Sequence, residues 1–302
     1  EVAITGAVSD MTASLQLALN NHKHVKALAG RTYRFSTLTM PNADSCLEIE
    51  SGAILAPSSA VVKGIEVTGA RCSIIGQGSI NSPASWDGTN ARRTFATIWV
   101  TGEGFTASGI TMNNVPRSGI HFEDATGWLV MGVKINGGFP YASYTGTQTG
   151  HCGIDYNPPT TAATTDYQSG RVIGCRIRQC VQGVFYGNYD SAGSTQGIVI
   201  DGNVFEDCWN HGVYTTLGEG TVINSNSFVD CQVPIVVDGT GCVVTGNALY
   251  STEPNTRTNS WQIIQVREAN GALIANNSLI GVDAGISVDC VSGTATRNCL
   301  IH

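Results

Sequence analysis

Three side chains able to move protons, His121, Glu123 and Asp155, stand in two segments that read GIHFE and GIDYN. If these segments are neighbouring parallel strands in register, Glu123 and Asp155 lie one strand and two residues apart. A strand spacing of ~4.8 Å and an advance of ~6.6 Å along the strand then put their Cα atoms roughly 8 Å from each other. Two carboxyls so placed suit acid/base cleavage of a glycosidic bond. One stays protonated for the leaving oxygen, and the other activates water or attacks the anomeric carbon. Side-chain rotamers let this separation serve either the ~5 Å of a retaining pair or the ~6.5–9.5 Å of an inverting one. Asp155, beside Phe185, is read as the acid and Glu123 as its partner, with Asp166 and Asp190 as substitutes. His121 next to Asp155 is the third catalytic candidate; the plainer reading is a surface pair contributing at most ~1 kcal/mol.

The groups around this trio suggest what they would act on. Trp99, Phe185 and Tyr214 fall at equivalent places in neighbouring segments, and exposed aromatic rings on a sheet face are suited to stacking on sugar rings. Burial by a neighbouring subunit is the alternative. Arg117 and His151 stand where the two central strands begin, as further substrate contacts. A rival chemistry is β-elimination, with His121, Tyr141 or Tyr144 as the base and Arg117 neutralising a uronate carboxyl. A rival of another class is a glycan-binding spike that uses the aromatic stripe without any chemistry.

Such columns require stacked strands, and the chain supplies a repeat that would stack them. Segments of the form apolar-x-x-x-Asn-x-apolar, VIDGNVF, TVINSNSF, VVTGNAL, LIANNSL and TATRNCL, end at Phe205, Phe228, Leu249, Leu279 and Leu300. The frame continues backwards through Ile177, Ile135, Met112, Ile80 and Ile54. A period near 21 to 23 with insertions is a solenoid signature. Two residues before these anchors stand Asn203, Asn226, Asn247, Asn277 and Asn298, expected to form an asparagine ladder between coils. Cys180, Cys208 and Cys231 keep the same register and read as buried thiols rather than disulfides.

One further strand per coil precedes each anchor: TIWVT, GIHFE, GIDYN, GVFYG, GVYTT, PIVVD, IIQVR and GISVD. Its second and fourth residues should face in, and its third and fifth out. The third positions make the column Glu66, Trp99, His121, Asp155, Phe185, Tyr214, Val236, Gln265 and Ser287. The fifth make Thr101, Glu123, Asn157, Gly187, Thr216, Asp238, Arg267 and Asp289. Both columns are expected to face solvent. Long insertions at 81–96, 136–152 and 157–170 cluster around their middle, as loops that wall a binding site do.

The fold class that follows is all-β: a right-handed parallel β-helix of about ten coils in one domain, residues 1–302. Residues 1–50 form a cap and first strands, and 51–302 the coils. SDMTASLQLALNNH reads as a short amphipathic capping helix with Leu15, Ala18 and Leu19 on its buried face. Further chain, or a partner, is expected beyond residue 302.

The succession of a capping helix, VKALAGRTYRFST, LEIESGAIL and Asn-bearing coils resembles the pectate-lyase-like β-helix superfamily, and within it the tailspike depolymerases of bacteriophages. The resemblance implies a homotrimer, assembled in a reducing compartment, that sits on a phage tail or outside the cell. It implies binding and degradation of a bacterial capsule or lipopolysaccharide chain. The NTD, DD, GHG and RIK motifs of polygalacturonases are absent, as is the acidic calcium cluster of pectate lyases, so no residue roles carry over from either.

Composition narrows the alternatives. A net charge of −7 with only four lysines lacks the clustered cations that nucleic acid requires. No apolar run reaches the ~18 residues of a membrane span, so no membrane insertion is expected, and no signal peptide is visible in this numbering. No His/Cys/Asp set has metal-ligand spacing, so neither metal nor cofactor is expected.

Overall fold

The computed structural model describes residues 2–4, 10–58, 63–83, 96–115, 117–138, 151–157, 170–187, 195–216, 218–251, 263–280, 285–289 and 299–301. The strands stack in parallel into three long sheets of twelve, ten and ten strands, consistent with a right-handed parallel β-helix. Each full coil runs through all three. Ala96–Val100 lies in what we call the site sheet, Thr106–Ser108 in the middle sheet and Thr111–Asn113 in the anchor sheet.

The coil therefore holds three strands rather than the two read from the sequence. The repeated Asn motif is itself two strands joined at a corner: Val199–Asp201, then Gly202 and Asn203, then Val204–Glu206. Three-residue strands are too short to display an alternation of their own. The corner turns through a left-handed residue, Gly202 in this coil and Ser225 in the next, at φ of 64° and 56°.

Just after that residue stands the asparagine. Asn203 Nδ2 donates to Asn226 Oδ1 at 2.9 Å, Asn226 Nδ2 to Asn247 Oδ1 at 3.0 Å and Asn247 Nδ2 to Asn277 Oδ1 at 2.9 Å. Each Oδ1 also accepts the backbone N–H of the coil before. The second Nδ2 proton goes to a middle-sheet carbonyl, Val172 for Asn203 and Ile200 for Asn226. A buried amide satisfied at four points stabilises the corner, whereas leaving any of these groups unpaired would cost about 1–3 kcal/mol.

Inside the anchor sheet, Leu55, Ile80, Met112, Ile135, Ile177, Phe205, Phe228, Leu249 and Leu279 form one file. Two expected members are corrected. In the Ile54-Leu55 pair only one residue can face in, and it is Leu55, fully buried, while Ile54 is half-buried. Leu300 pairs with Leu273 in the middle sheet, so it stands one strand away from the anchor position. Asn298 lies outside the described residues. Phe205 and Phe228 stack at 4.9 Å with ring planes 10° apart, the strand spacing expressed in aromatic packing. Cys180, Cys208 and Cys231 are buried thiols not joined in disulfides, and burial pushes the Cys180 thiol up to about 12.

The capping helix spans Thr12–Asn21 and buries Leu15, Ala18 and Leu19 against the first coil. Met11 occupies the N-cap position. Asp10, just before it, accepts the Thr12 backbone N–H at 2.9 Å. Gln16 bonds Thr39 reciprocally: its Nε2 donates to the Thr39 carbonyl and its Oε1 accepts the Thr39 N–H. Thr39 lies in the first strand of the site sheet, so the helix satisfies an edge that would otherwise lack a neighbour.

Asn226→Ala would leave the Asn203 backbone N–H and one Asn203 Nδ2 proton without an acceptor and should destabilise by about 3 kcal/mol in a denaturant titration. Asn224→Ala, which removes a half-buried amide two residues away, should stay within about 1 kcal/mol of the parent in the same denaturant titration.

Candidate active site

The site sheet holds the expected column in register. Trp99 pairs with Glu66 and His121, His121 with Asp155, Asp155 with Phe185, and Phe185 with Tyr214. Glu123 lies two residues beyond His121 on the same strand, Ser118–Glu123, and Asp155 on the next, Cys152–Asn157. The diagonal relation between the two carboxyls therefore holds at the backbone.

Side chains join them through two intermediates. Asp155 Oδ2 lies 2.9 Å from His121 Nδ1, and Trp99 Nε1 donates to Glu123 Oε2 at 3.1 Å. The Trp99 and His121 rings lie 4.1 Å apart, tilted by 42°. Glu123, Trp99, His121 and Asp155 thus form one continuous chain of contacts. On its far side the Lys63 ammonium sits 4.6 Å from the Trp99 ring centre and pairs with Glu66.

Exposure differs from the expectation. Trp99 is 5% exposed, His121 2% and Phe185 1%, whereas Asp155, Glu123 and Tyr214 are half-buried. Rings set one strand spacing apart leave no gap for water between them, so the column packs upon itself. Phe185 meets Tyr214 edge-on at 5.6 Å. Trp99 and Phe185 are accordingly supports for neighbouring polar groups, and the carboxylates and Tyr214 are what solvent reaches.

Arg117 is half-buried at the start of the His121 strand. His151 does not join the outer face. It is fully buried, with Nε2 2.9 Å from the Val115 carbonyl, and its ring stands close to Gly137. Tyr141, Tyr144, Asp166 and Asp190 lie outside the described residues, as does most of each expected insertion.

Sequence reading missed a third outer column. Gly119, Gly153, Gly183 and Gly212 each sit where an added Cβ would strike the interior; at Gly183 it would come within 2.6 Å of the Phe205 ring. Two successive residues, Gly183 and Val184, therefore face in, and strict alternation slips by one. That slip returns Ser118, Cys152, Gln182 and His211 to the outer face. Ser118 Oγ lies 3.5 Å from Asp155 Oδ2, Cys152 Sγ donates to Gln182 Oε1 at 3.3 Å, and Gln182 Nε2 lies 3.4 Å from His211 Nδ1. The signal was the repeated glycine ahead of each apolar residue. Asp124 was also missed; burial first, and then the Glu123 carboxylate, raise its carboxyl above the usual range.

Residues 96–252 match the family described as right handed beta helix region. No curated protein sequence matches. Among solved structures, the polygalacturonase of Erwinia carotovora ssp. carotovora is similar at 14% identity and a TM-score of 0.63, over 98% of this chain and 95% of that one. The Streptococcus pneumoniae surface protein and adhesin PfbA is similar at 12% identity and 0.66, over 98% and 94%. A mutant tailspike protein of E. coli bacteriophage HK620, in complex with a pentasaccharide, gives 14% and 0.61, over 97% and 62%. This chain therefore spans less than two thirds of that tailspike's length.

Burial, with Arg117 adding to it, holds the His151 imidazole down at about 4 against an ordinary 6.5, the Val115 carbonyl opposing. Between these values the unfolded chain binds a proton that the fold refuses. The stability is present in full above pH 6.5 and is lost as the pH falls through 4, by about 3 kcal/mol in all. His211, held at about 3, acts in the same direction. Urea midpoints measured from pH 7 to 4 should fall steeply for the parent and less steeply for His151→Gln.

Proposed function

The chain belongs to the right handed beta helix region family, and on that footing we propose that it degrades a bacterial surface polysaccharide by glycosidic cleavage, endo-hydrolysis being favoured. The observation that carries this reading is the contact chain from Glu123 through Trp99 and His121 to Asp155, with solvent-reachable carboxylates at both ends. Asp155 gives its proton to the leaving oxygen, and His121, at 2.9 Å, is placed to exchange a proton with it. Glu123, oriented by the Trp99 indole, takes a proton from water or attacks the anomeric carbon. Similarity to a polygalacturonase and to a tailspike that binds a pentasaccharide supports a glycan as the substrate.

The same reading makes the chain part of a homotrimer on a phage tail or outside the cell. No helix of the described residues is long and apolar enough to cross a membrane. Elimination fits less well, because His121, its described candidate base, is buried beneath Trp99 and engaged with Asp155. A purely binding role has one observation in its favour, the similarity to the Streptococcus pneumoniae surface protein and adhesin PfbA.

Asp155→Asn and Glu123→Gln should each slow reducing-end release from the cognate capsule or O-chain by about 100-fold or more. If both variants cut as fast as the parent, the assignment is wrong. A parent that binds the glycan without shortening it would leave the binding role standing, and products absorbing at the ultraviolet edge would establish elimination instead.

A further inference from the structure

Two strands beyond Asp155, at about 10 Å along the helix axis, the site sheet carries a second polar group built around Tyr214. Arg267 stands in the outer column two coils further on, next to Asp238 in register. Its side chain reaches back to Tyr214, where Nη1 lies 3.4 Å from the phenol oxygen. Arg267 Nε is buried with no hydrogen-bond partner among the described residues. A guanidinium N–H withdrawn from water and left unpaired costs free energy.

His211 completes the group. Its ring lies 4.7 Å from that of Tyr214 and is half-buried. Burial first, and Arg267 second, hold the imidazole at about 3, so it is neutral at ordinary pH. Cys152 donates to Gln182 Oε1, which orients the Gln182 amide so that Nε2 is the group facing His211 Nδ1. The neutral ring then accepts at Nδ1 and carries its proton on Nε2. A guanidinium and an imidazole thus both stand against the Tyr214 phenol, with a single positive charge among the three.

From this grouping we propose that Arg267, Tyr214 and His211 form a subsite for an oxyanion carried on the glycan, a uronate carboxylate or a phosphate ester. The proposal rests on the reading that a glycan lies along the site sheet; the oxyanion would belong to a sugar set off from the bond held at Asp155. A guanidinium takes either oxyanion through two parallel hydrogen bonds, which a lysine does not reproduce. Asp238 beside Arg267 makes the binding weak and sensitive to salt.

The test is binding rather than cleavage. D-glucuronate, inorganic phosphate and, as the neutral control, D-glucose are titrated into the whole chain. The readout is the His211 imidazole carbon–proton signal, identified by its loss in His211→Gln. A saturable shift with glucuronate, phosphate or both, but not with glucose, is expected. Arg267→Met should weaken it by about tenfold or more, and Arg267→Lys, which keeps the charge and the fold, should fall between. Response to glucuronate alone identifies a uronate, and response to phosphate alone a phosphate ester. No saturable shift with either anion, an equal shift with glucose, or a shift that survives Arg267→Met overturns the subsite. A chain that binds glucuronate yet cuts nothing keeps this subsite and loses the hydrolase reading; one that cuts but ignores both anions does the reverse.

Discussion

One constraint governs the molecule: every coil must sit on the next at the spacing of hydrogen-bonded strands. The asparagine corner enforces it where the backbone cannot. At a turn, ladder bonds stop, and a buried N–H and C=O would go unpaired. Asn203, Asn226, Asn247 and Asn277 supply side-chain amides that bond both along the axis and back into the previous coil. Once the corners are fixed, the anchor file and its Phe205–Phe228 stack follow, because identical positions must meet face to face.

The outer face inherits that registration. His121 meets Asp155 because their strands are locked in register. The rings of Trp99, Phe185 and Tyr214 have no freedom to spread apart. Rigid placement of this kind suits acid/base chemistry, which requires heavy atoms held at hydrogen-bond distance. It also explains why part of the face is closed to water, since closely spaced rings shield one another before any ligand arrives.

Repetition made much of this legible in the sequence. The outer columns could be written down residue by residue because period-two alternation inside a period of 21 to 23 leaves few registers open, and the pairings through Trp99, His121, Asp155, Phe185 and Tyr214 follow them. The third strand of each coil stayed hidden because three residues carry no period. Ile54 was chosen over Leu55 because hydropathy cannot rank two adjacent aliphatic residues. His151 looked functional by type, and only its contacts, Nε2 with the Val115 carbonyl and the ring against Gly137, set it apart from the outer column. Ser118, Gln182 and His211 were missed for one physical reason: the glycine before each apolar residue faces in without a side chain and shifts the phase of the alternation.

The helix that covers the first coil has an effect at the scale of many molecules. Gln16 returns both backbone bonds of Thr39, so this rim of the site sheet presents no ready-made template to a visiting strand. A side-chain amide impersonating a backbone thereby closes this rim of the site sheet to templated extension.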